Sequence, residues 1–303
     1  MNPSESVSTI GNGPIDFSRW FIPQVLTHLY YTAAYAKLTG SQRLRYNQLF
    51  ALYFNEQTMF FERSLAQNVL GYFLAQPLPS VLKTGLRQFI EEEQQHSAMF
   101  RRLNRQCAPA IYSNQDFHFI QVPALGAELL DAISRRPTWF PLLLWLMHLQ
   151  EERALFFGRT FVKSADHLEP HFLAAQRKHL ADEIGHVHWD EGLLDWVWPK
   201  TSFPLRWFNV RLLRWMIGEY FSAPKRAGLR VLESLVQEFP DLCTQHKELR
   251  RQLLDLETDQ AFLRSLYSTE NVPHTLKRFD EWPEFFSLSR VMPGYTPRGE
   301  AMP

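Results

Sequence analysis

The sequence predicts an all-α protein, and three observations support this fold class. Apolar residues recur at intervals of three and four positions over long stretches, which is typical of amphipathic helices. Prolines lie near the ends of these stretches rather than inside them. No strand-rich block, low-complexity tract or nucleotide-binding glycine loop is present. We therefore expect a single domain over residues 1–303, with a core at about residues 41–198 and extra helices and a tail over 199–303.

The helices are predicted in chain order from apolar spacing and from the Gly and Pro residues between them. Ser41 follows Gly40 and is a plausible N-cap for the first core helix. Residues 107–123 indicate a connection across the bundle, and the last 30 or so residues an extended tail. The predicted helices cover about residues 17–39, 41–75, 80–106, 125–134, 137–163 and 171–197, with two to four more between 204 and 266.

Composition excludes several classes of function. Lys plus Arg equal Asp plus Glu at 32 each, so the net charge gives no general reason to expect binding to nucleic acid or to an anionic membrane. The two cysteines, Cys107 and Cys243, are too few for a disulfide framework. The most apolar run, residues 139–149, is about half the length needed to cross a bilayer, and residues 1–16 lack the pattern of a signal peptide. We expect a cytoplasmic protein.

A repeated Glu-x-x-His motif provides the first sign of a metal site. Glu93 and His96 form one copy, and Glu183 and His186 form the second copy 90 residues later. Residues three apart on a helix share a face, so each pair presents a carboxylate and an imidazole together. A buried salt-bridge network is the alternative interpretation of such a cluster.

The repeat extends to two further glutamates. Glu62 and Glu152 each precede a motif glutamate by 31 residues, and both lie in strongly apolar segments. A buried carboxylate needs a compensating charge, which a metal ion supplies. Glu56 and Glu151 are competing candidates, but the constant spacing favours Glu62 and Glu152. Two helices with one Glu each and two with Glu-x-x-His hold two iron or manganese ions in ferritin-like bundles. The predicted fold is therefore a ferritin-like helical bundle of the di-iron carboxylate type, with additional flanking helices.

His179 breaks the symmetry of the repeat. It lies four residues before Glu183 and seven before His186, on the same helix face, whereas the corresponding position in the first half is Phe89. We expect His179 to be a ligand of one metal only. The acidic residues just before the motif glutamates, Glu92 and Asp182, are candidates to orient the histidines of the opposite half.

The Asp-Glu-x-x-His helix, with a further histidine four residues before its Glu, resembles the p-aminobenzoate N-oxygenase family of di-iron proteins. The resemblance covers about residues 55–189. It implies O₂ activation and oxidation of an amine nitrogen, commonly on an aryl substrate. It also implies a di-iron centre held by three histidines and four glutamates, at the positions of Glu62, Glu93, His96, Glu152, His179, Glu183 and His186.

Alternatives remain open in the sequence. The main hypothesis is an oxygenase that uses two iron ions, with O₂ as co-substrate, to oxidise a small, aromatic amine. The alternatives are a ferritin-like iron-handling or non-catalytic protein and a di-iron hydroxylase or desaturase acting on carbon; manganese is an alternative metal. No flavin or nicotinamide fingerprint is present, so an external reductase or ferredoxin-like donor is expected. A homodimer is an alternative to a monomer.

Overall fold

The computed structural model describes residues 13–222 and 225–298. Within these residues all regular structure is helical, with no strand, so the all-α prediction is confirmed. None of the described helices is long and apolar enough to cross a membrane. The expectations for the first twelve residues, and the helix break expected near Ala223, fall outside the described part of the chain.

Twelve α-helices are described, and a π-helical turn, Glu62–Ala66, joins the first two into one long helix. Their bounds are α1 Gly40–Phe61, α2 Gln67–Leu74, α3 Ser80–Cys107, α4 Pro109–Tyr112, α5 Ala124–Ser134, α6 Leu142–Lys163, α7 Pro170–Val197, α8 Phe203–Met216, α9 Ala227–Glu238, α10 His246–Asp255, α11 Gln260–Leu266 and α12 Pro273–Phe279.

Four long helices form the bundle. Helix α7 packs along α6 and against α3, and α3 packs against α1. The close approach of α6 and α7 requires Gly158, because a Cβ atom there would lie 2.8 Å from the Cβ of Leu180. Helix α9 covers α1, while α8 and α12 pack on α6. Helices α8 and α9 are among the flanking helices that the sequence predicted between residues 204 and 266, whereas α12 lies in the segment predicted as a tail.

The core of the bundle is divided into two apolar clusters. On α3, Phe89 belongs to one cluster and Met99 to the other, and Glu93 and His96 lie between them. The other three bundle helices are divided in the same way. Each has residues of one apolar cluster toward one end and residues of the other cluster toward the other end. A polar layer therefore crosses the middle of the bundle, enclosed on both sides by apolar side chains.

The helix predicted over residues 17–39 is wrong. This segment forms three short 3₁₀ helices, Gln24–Leu26, His28–Tyr31 and Tyr35–Lys37. Asn47 of α1 explains part of the difference, because its side-chain oxygen accepts the backbone N–H of Phe21 at 2.9 Å. Backbone groups that a helix would pair internally are thus bound to the bundle instead.

The N-cap of α1 is Thr39, not Ser41. The Thr39 hydroxyl accepts the backbone N–H of Gln42 at 3.2 Å, and the Gln42 side chain accepts the backbone N–H of Thr39 at 2.8 Å. This reciprocal pair is a capping box.

The extended tail predicted at the C-terminus is also wrong over its described part. It contains α12 and the 3₁₀ helix Pro283–Arg290. The rings of Phe279 and Phe285 stack with centroids 4.5 Å apart, and both are fully buried. Pro273 and Pro283 begin helices rather than prevent them, because proline is well tolerated in the first turn.

The connection over residues 107–123 is held to the bundle by Glu56 of α1. Its carboxylate accepts the backbone N–H groups of His118, Phe119 and Ile120 and the hydroxyl of Tyr112. Glu56 is fully buried, so these donors replace the water that the carboxylate loses. Glu56 therefore stabilises the connection and does not face the polar layer with the candidate ligands.

We predict that Glu56→Gln destabilises the protein by about 2–4 kcal/mol, because an amide replaces a carboxylate that receives four hydrogen bonds. Urea denaturation followed by circular dichroism measures the free energy of unfolding. Glu128→Gln, on the exposed side of α5, is the matched control and should stay within about 0.5 kcal/mol of the wild type. Equal stability of the two variants would contradict this role for Glu56.

Candidate metal centre

Six of the seven predicted ligands converge in the polar layer of the bundle. Glu62 comes from the first position of the π-helical turn, two residues come from α3 and three from α7. None of the six is more than 6% exposed. The six residues are Glu62, Glu93, His96, His179, Glu183 and His186.

The six residues form two overlapping groups. Glu93, His96, Glu183 and His186 each offer a ligand atom, and these atoms all lie within 4.8 Å of one another. Glu62, His96 and His179 form the second group under the same limit. Nδ1 of His186 lies 3.3 Å from a Glu93 oxygen, and Nδ1 of His96 lies 3.5 Å from the same oxygen. The layout suits two neighbouring metal ions better than one.

Several atoms that face the centre have no hydrogen-bond partner within the described part of the chain. They include both carboxylate oxygens of Glu93, Oε2 of Glu183, and Nδ1 of His96 and of His186. Buried polar atoms are nearly always paired, so a cluster of unpaired acceptors needs an explanation. Carboxylate oxygens and imidazole nitrogens are the donors that iron and manganese take in helical bundles. The residues present therefore fit a pair of such ions.

The charges of the cluster depend strongly on one another. Burial and the neighbouring Glu93 raise the pKa of Glu62 to about 7. Burial lowers the pKa of His179, but the carboxylates of Glu183 and Glu62 outweigh burial and raise this pKa to about 10. The same pairing with His179, and with His186, holds the pKa of Glu183 well below its usual range despite its burial. The layer thus has to be neutralised by added positive charge, from protons or from metal ions.

The two histidines of the repeat are each oriented from behind by a carboxylate of the other half. Nε2 of His96 lies 2.9 Å from Oδ2 of Asp182, and Nε2 of His186 lies 3.1 Å from Oε2 of Glu92. Both contacts were expected from the sequence. They leave the Nδ1 atoms directed at the cluster, since a ring nitrogen that donates to a carboxylate fixes the tautomer.

Glu152 does not reach the cluster, and the prediction that it does is wrong. Its two carboxylate oxygens accept the backbone N–H groups of His274 at 2.7 Å and Thr275 at 2.8 Å, at the first turn of α12. Glu151, the competing candidate, faces the cluster instead. Its Oε2 lies 3.6 Å from Nδ1 of His186.

Helix register explains the error. Adjacent residues point about 100° apart on an α-helix, so a repeat that is out of register by one position selects the wrong face. Residues 75–79 join α2 to α3, whereas residues 164–169 join α6 to α7, so the second half has one residue more between its helices. His148 lies four residues before Glu152 on the same face of α6, and both side chains contact Thr275. His148 and Glu152 thus mark the face of α6 that turns away from the cluster.

A cavity of about 130 Å³ adjoins the cluster. Glu62, Glu151 and His179 contribute to its wall, so one side of the cluster is open to it. Most of the wall comes from residues that the sequence did not single out, on the segment before α1 and on α1, α6, α7 and α11. Its aromatic members are Tyr31, Phe50, Tyr53, Phe54, Phe61, Phe157, Tyr220, Phe221 and Phe262, and its polar members include His28, Gln150, Arg153, Gln176 and Ser222.

Comparison with protein-family models agrees with this geometry. The model described as p-aminobenzoate N-oxygenase AurF matches residues 12–263 of the 303-residue chain. The chain belongs to this family. It is accordingly an enzyme, of a family of di-iron N-oxygenases with a ferritin-like helical fold, and the non-catalytic alternatives fall away. No curated protein matches the chain.

We predict that substitution of Glu151 lowers the amount of bound iron, whereas substitution of the adjacent Glu152 lowers the stability of the fold. Glu151→Gln should reduce the iron bound after reconstitution from about two ions per chain to about one or fewer, because it removes a carboxylate from a two-metal site. Glu152→Gln should keep the iron but lower the free energy of unfolding by about 1–3 kcal/mol, because the N–H groups of α12 lose a charged acceptor. Metal analysis and urea denaturation measure the two effects. Loss of iron in Glu152→Gln alone would reverse the assignment.

Proposed function

We propose that this protein uses two iron ions and O₂ to oxygenate the nitrogen of a small arylamine. The observation that carries this proposal is the cavity, because it opens on Glu62, Glu151 and His179, at the side of the cluster where a substrate can approach. When bound, the iron pair supplies O₂ activation at open coordination positions. The proposed ligands are Glu62, Glu93, His96, Glu151, His179, Glu183 and His186.

The size and lining of the cavity support a single aromatic ring as the ligand. An engineered protein cavity of about 150 Å³ binds benzene, which is close to the volume of about 130 Å³ found here. Phe54 and Phe157 meet edge to face in its wall, with centroids 5.3 Å apart. Such a wall packs against the ring and excludes water from the metal site.

The presence of Arg153 in the cavity wall favours a substrate whose ring carries an acidic or other oxygen-bearing substituent. It is the only lysine or arginine among the described residues that line the cavity. Its Nη1 donates to Gln150 at 2.9 Å, whereas its buried Nε has no partner. Burial, followed by the Arg153 charge, lowers the pKa of His28 to about 3, so this neighbouring ring stays neutral. Arg153 is therefore the group that would bind a carboxylate on the substrate.

Turnover also needs electrons from outside the chain. We assign them to a reductase or ferredoxin-like protein, since the sequence lacks flavin and nicotinamide fingerprints. Manganese is the second metal to be tested, because the same oxygen and nitrogen donors accept it.

A single-turnover experiment tests the proposed function. Chemically reduced, iron-loaded protein is mixed with ¹⁸O₂ and a panel of arylamines, alkylamines and matched arenes without an amine, and the products are identified by mass spectrometry. The expected result is one ¹⁸O atom on the nitrogen of the arylamine, as the hydroxylamine, because one O₂ and the two electrons of the reduced protein oxidise the amine by two electrons and the second oxygen atom leaves as water. Oxygen on carbon, or no oxidised product from any compound, would overturn the proposal; manganese-loaded protein tests the alternative metal.

Arg153→Met should separate acidic from neutral arylamines. We expect the KM of an aminobenzoic acid to rise by about 10- to 100-fold, because a hydrogen bond to a charged group is lost, while the KM of a neutral arylamine changes by no more than about 2-fold. Steady-state kinetics with both substrates measure the difference. Arg159→Met is the matched control, since Arg159 is exposed on the same helix and lies outside the cavity wall. An equal rise for both substrates would show that Arg153 only supports the wall.

A further inference from the structure

Gln176 is a buried polar side chain with no hydrogen-bond partner among the described residues. It is 2% exposed, its Oε1 atom accepts no hydrogen bond, and its carboxamide makes none elsewhere among the described residues. Native proteins rarely keep a buried amide in this state. Its position in the fold therefore calls for a ligand.

The position of Gln176 relates it to the cluster. It lies on α7 one turn before His179, and residues three apart share a helix face. Both residues line the same cavity. Gln176 is thus a neutral hydrogen-bonding group beside a proposed metal ligand.

The remaining unpaired polar groups of the cavity come from other elements. Oγ of Ser222, Nε2 of Gln150, Nε of Arg153 and Nδ1 of His28 are buried without partners among the described residues, as is Oε1 of the proposed ligand Glu62. Arg153 also extends to Tyr267, whose hydroxyl donates to the backbone of Phe221 at 3.2 Å. These groups are available to the far end of a substrate, and the Gln176 oxygen is an unpaired acceptor one helical turn from His179.

We propose that the side-chain oxygen of Gln176 accepts an N–H bond of the substrate amine and so directs the nitrogen lone pair toward the metal pair. This inference rests on the proposed function and deepens it. A primary arylamine has two N–H donors and one lone pair, and only the lone pair can attack an electrophilic oxygen. An acceptor that binds one N–H fixes the rotation of the amino group about the C–N bond. Gln176 is a positioning residue and takes part in no bond change.

The proposal also sets a substrate preference. Primary and secondary arylamines carry the N–H that Gln176 accepts, whereas an N,N-dialkyl arylamine does not. A methyl group in place of the amine keeps the shape of the substrate but removes the donor. Binding of either compound leaves the buried Gln176 oxygen without a hydrogen bond, which makes the free energy of binding less favourable. The site should therefore discriminate against both compounds.

The test compares Gln176→Met with the wild type in iron-loaded, oxidised protein, which binds ligands without turning them over. Methionine keeps the length and flexibility of glutamine and removes the acceptor. Calorimetry measures the Kd of an arylamine and of its methyl analogue. We expect the wild type to prefer the amine by about 5- to 10-fold, the effect of one net hydrogen bond, and Gln176→Met to lose this preference while keeping its iron. Gln260→Met, on the exposed first turn of α11, is the matched control and should keep the preference.

Four results would count against the inference. An unchanged preference in Gln176→Met, in a protein that oxidises arylamines, would overturn the role of Gln176 and leave the proposed function intact. Equal weakening of both ligands with an unchanged ratio would show that Gln176 only fills space. A wild type that neither oxidises arylamines nor prefers them over the methyl analogue would overturn both proposals. The wild type alone gives a second measurement, since an N,N-dimethyl arylamine that binds as tightly as the primary amine would also exclude the hydrogen bond.

Discussion

The structure depends on the burial of ionisable groups in one layer of a helical bundle. Carboxylates and imidazoles that lose water must be neutralised, or folding would carry a large electrostatic cost. The two apolar clusters on either side remove water from this layer, and the same dryness strengthens the attraction between the ligands and a bound cation. Cations bound in this layer would stabilise the middle of the bundle as well as supply its chemistry.

Much of the fold and of the candidate site could be predicted from the sequence, because these features depend on residues that lie close together in the chain. The long helices follow from apolar periodicity, and the two Glu-x-x-His pairs follow from spacing on a single helix face. The carboxylates behind His96 and His186 were also predictable, since they precede the motif glutamates. The 3₁₀ segment before α1 and the folded C-terminal part were not, because contacts distant in sequence decide them, such as that of Asn47 with Phe21.

The substrate side of the site shows the limit of sequence patterns most clearly. His28, Arg153, Gln176 and Ser222 come from four separate segments and share no spacing. The choice between Glu151 and Glu152 likewise depends on one additional residue in the connection between α6 and α7 and on the location of α12, and neither leaves a periodic trace in the sequence. The buried glutamates among the described residues divide into two kinds: those whose carboxylates accept backbone N–H groups, which hold segments in place, and those without such donors, which face the cluster.

The pairing of Glu152 with α12 bears on where this enzyme can be shortened. The family match ends at residue 263, which invites removal of the chain beyond it, yet α12 begins at Pro273 and provides the only donors recorded for the Glu152 carboxylate within the described residues. A truncated chain would retain every residue of the metal centre and still leave a bare negative charge inside α6, one position from Glu151. We therefore expect the shortest chain that folds on its own to include α12, although α12 lies beyond the region of sequence similarity.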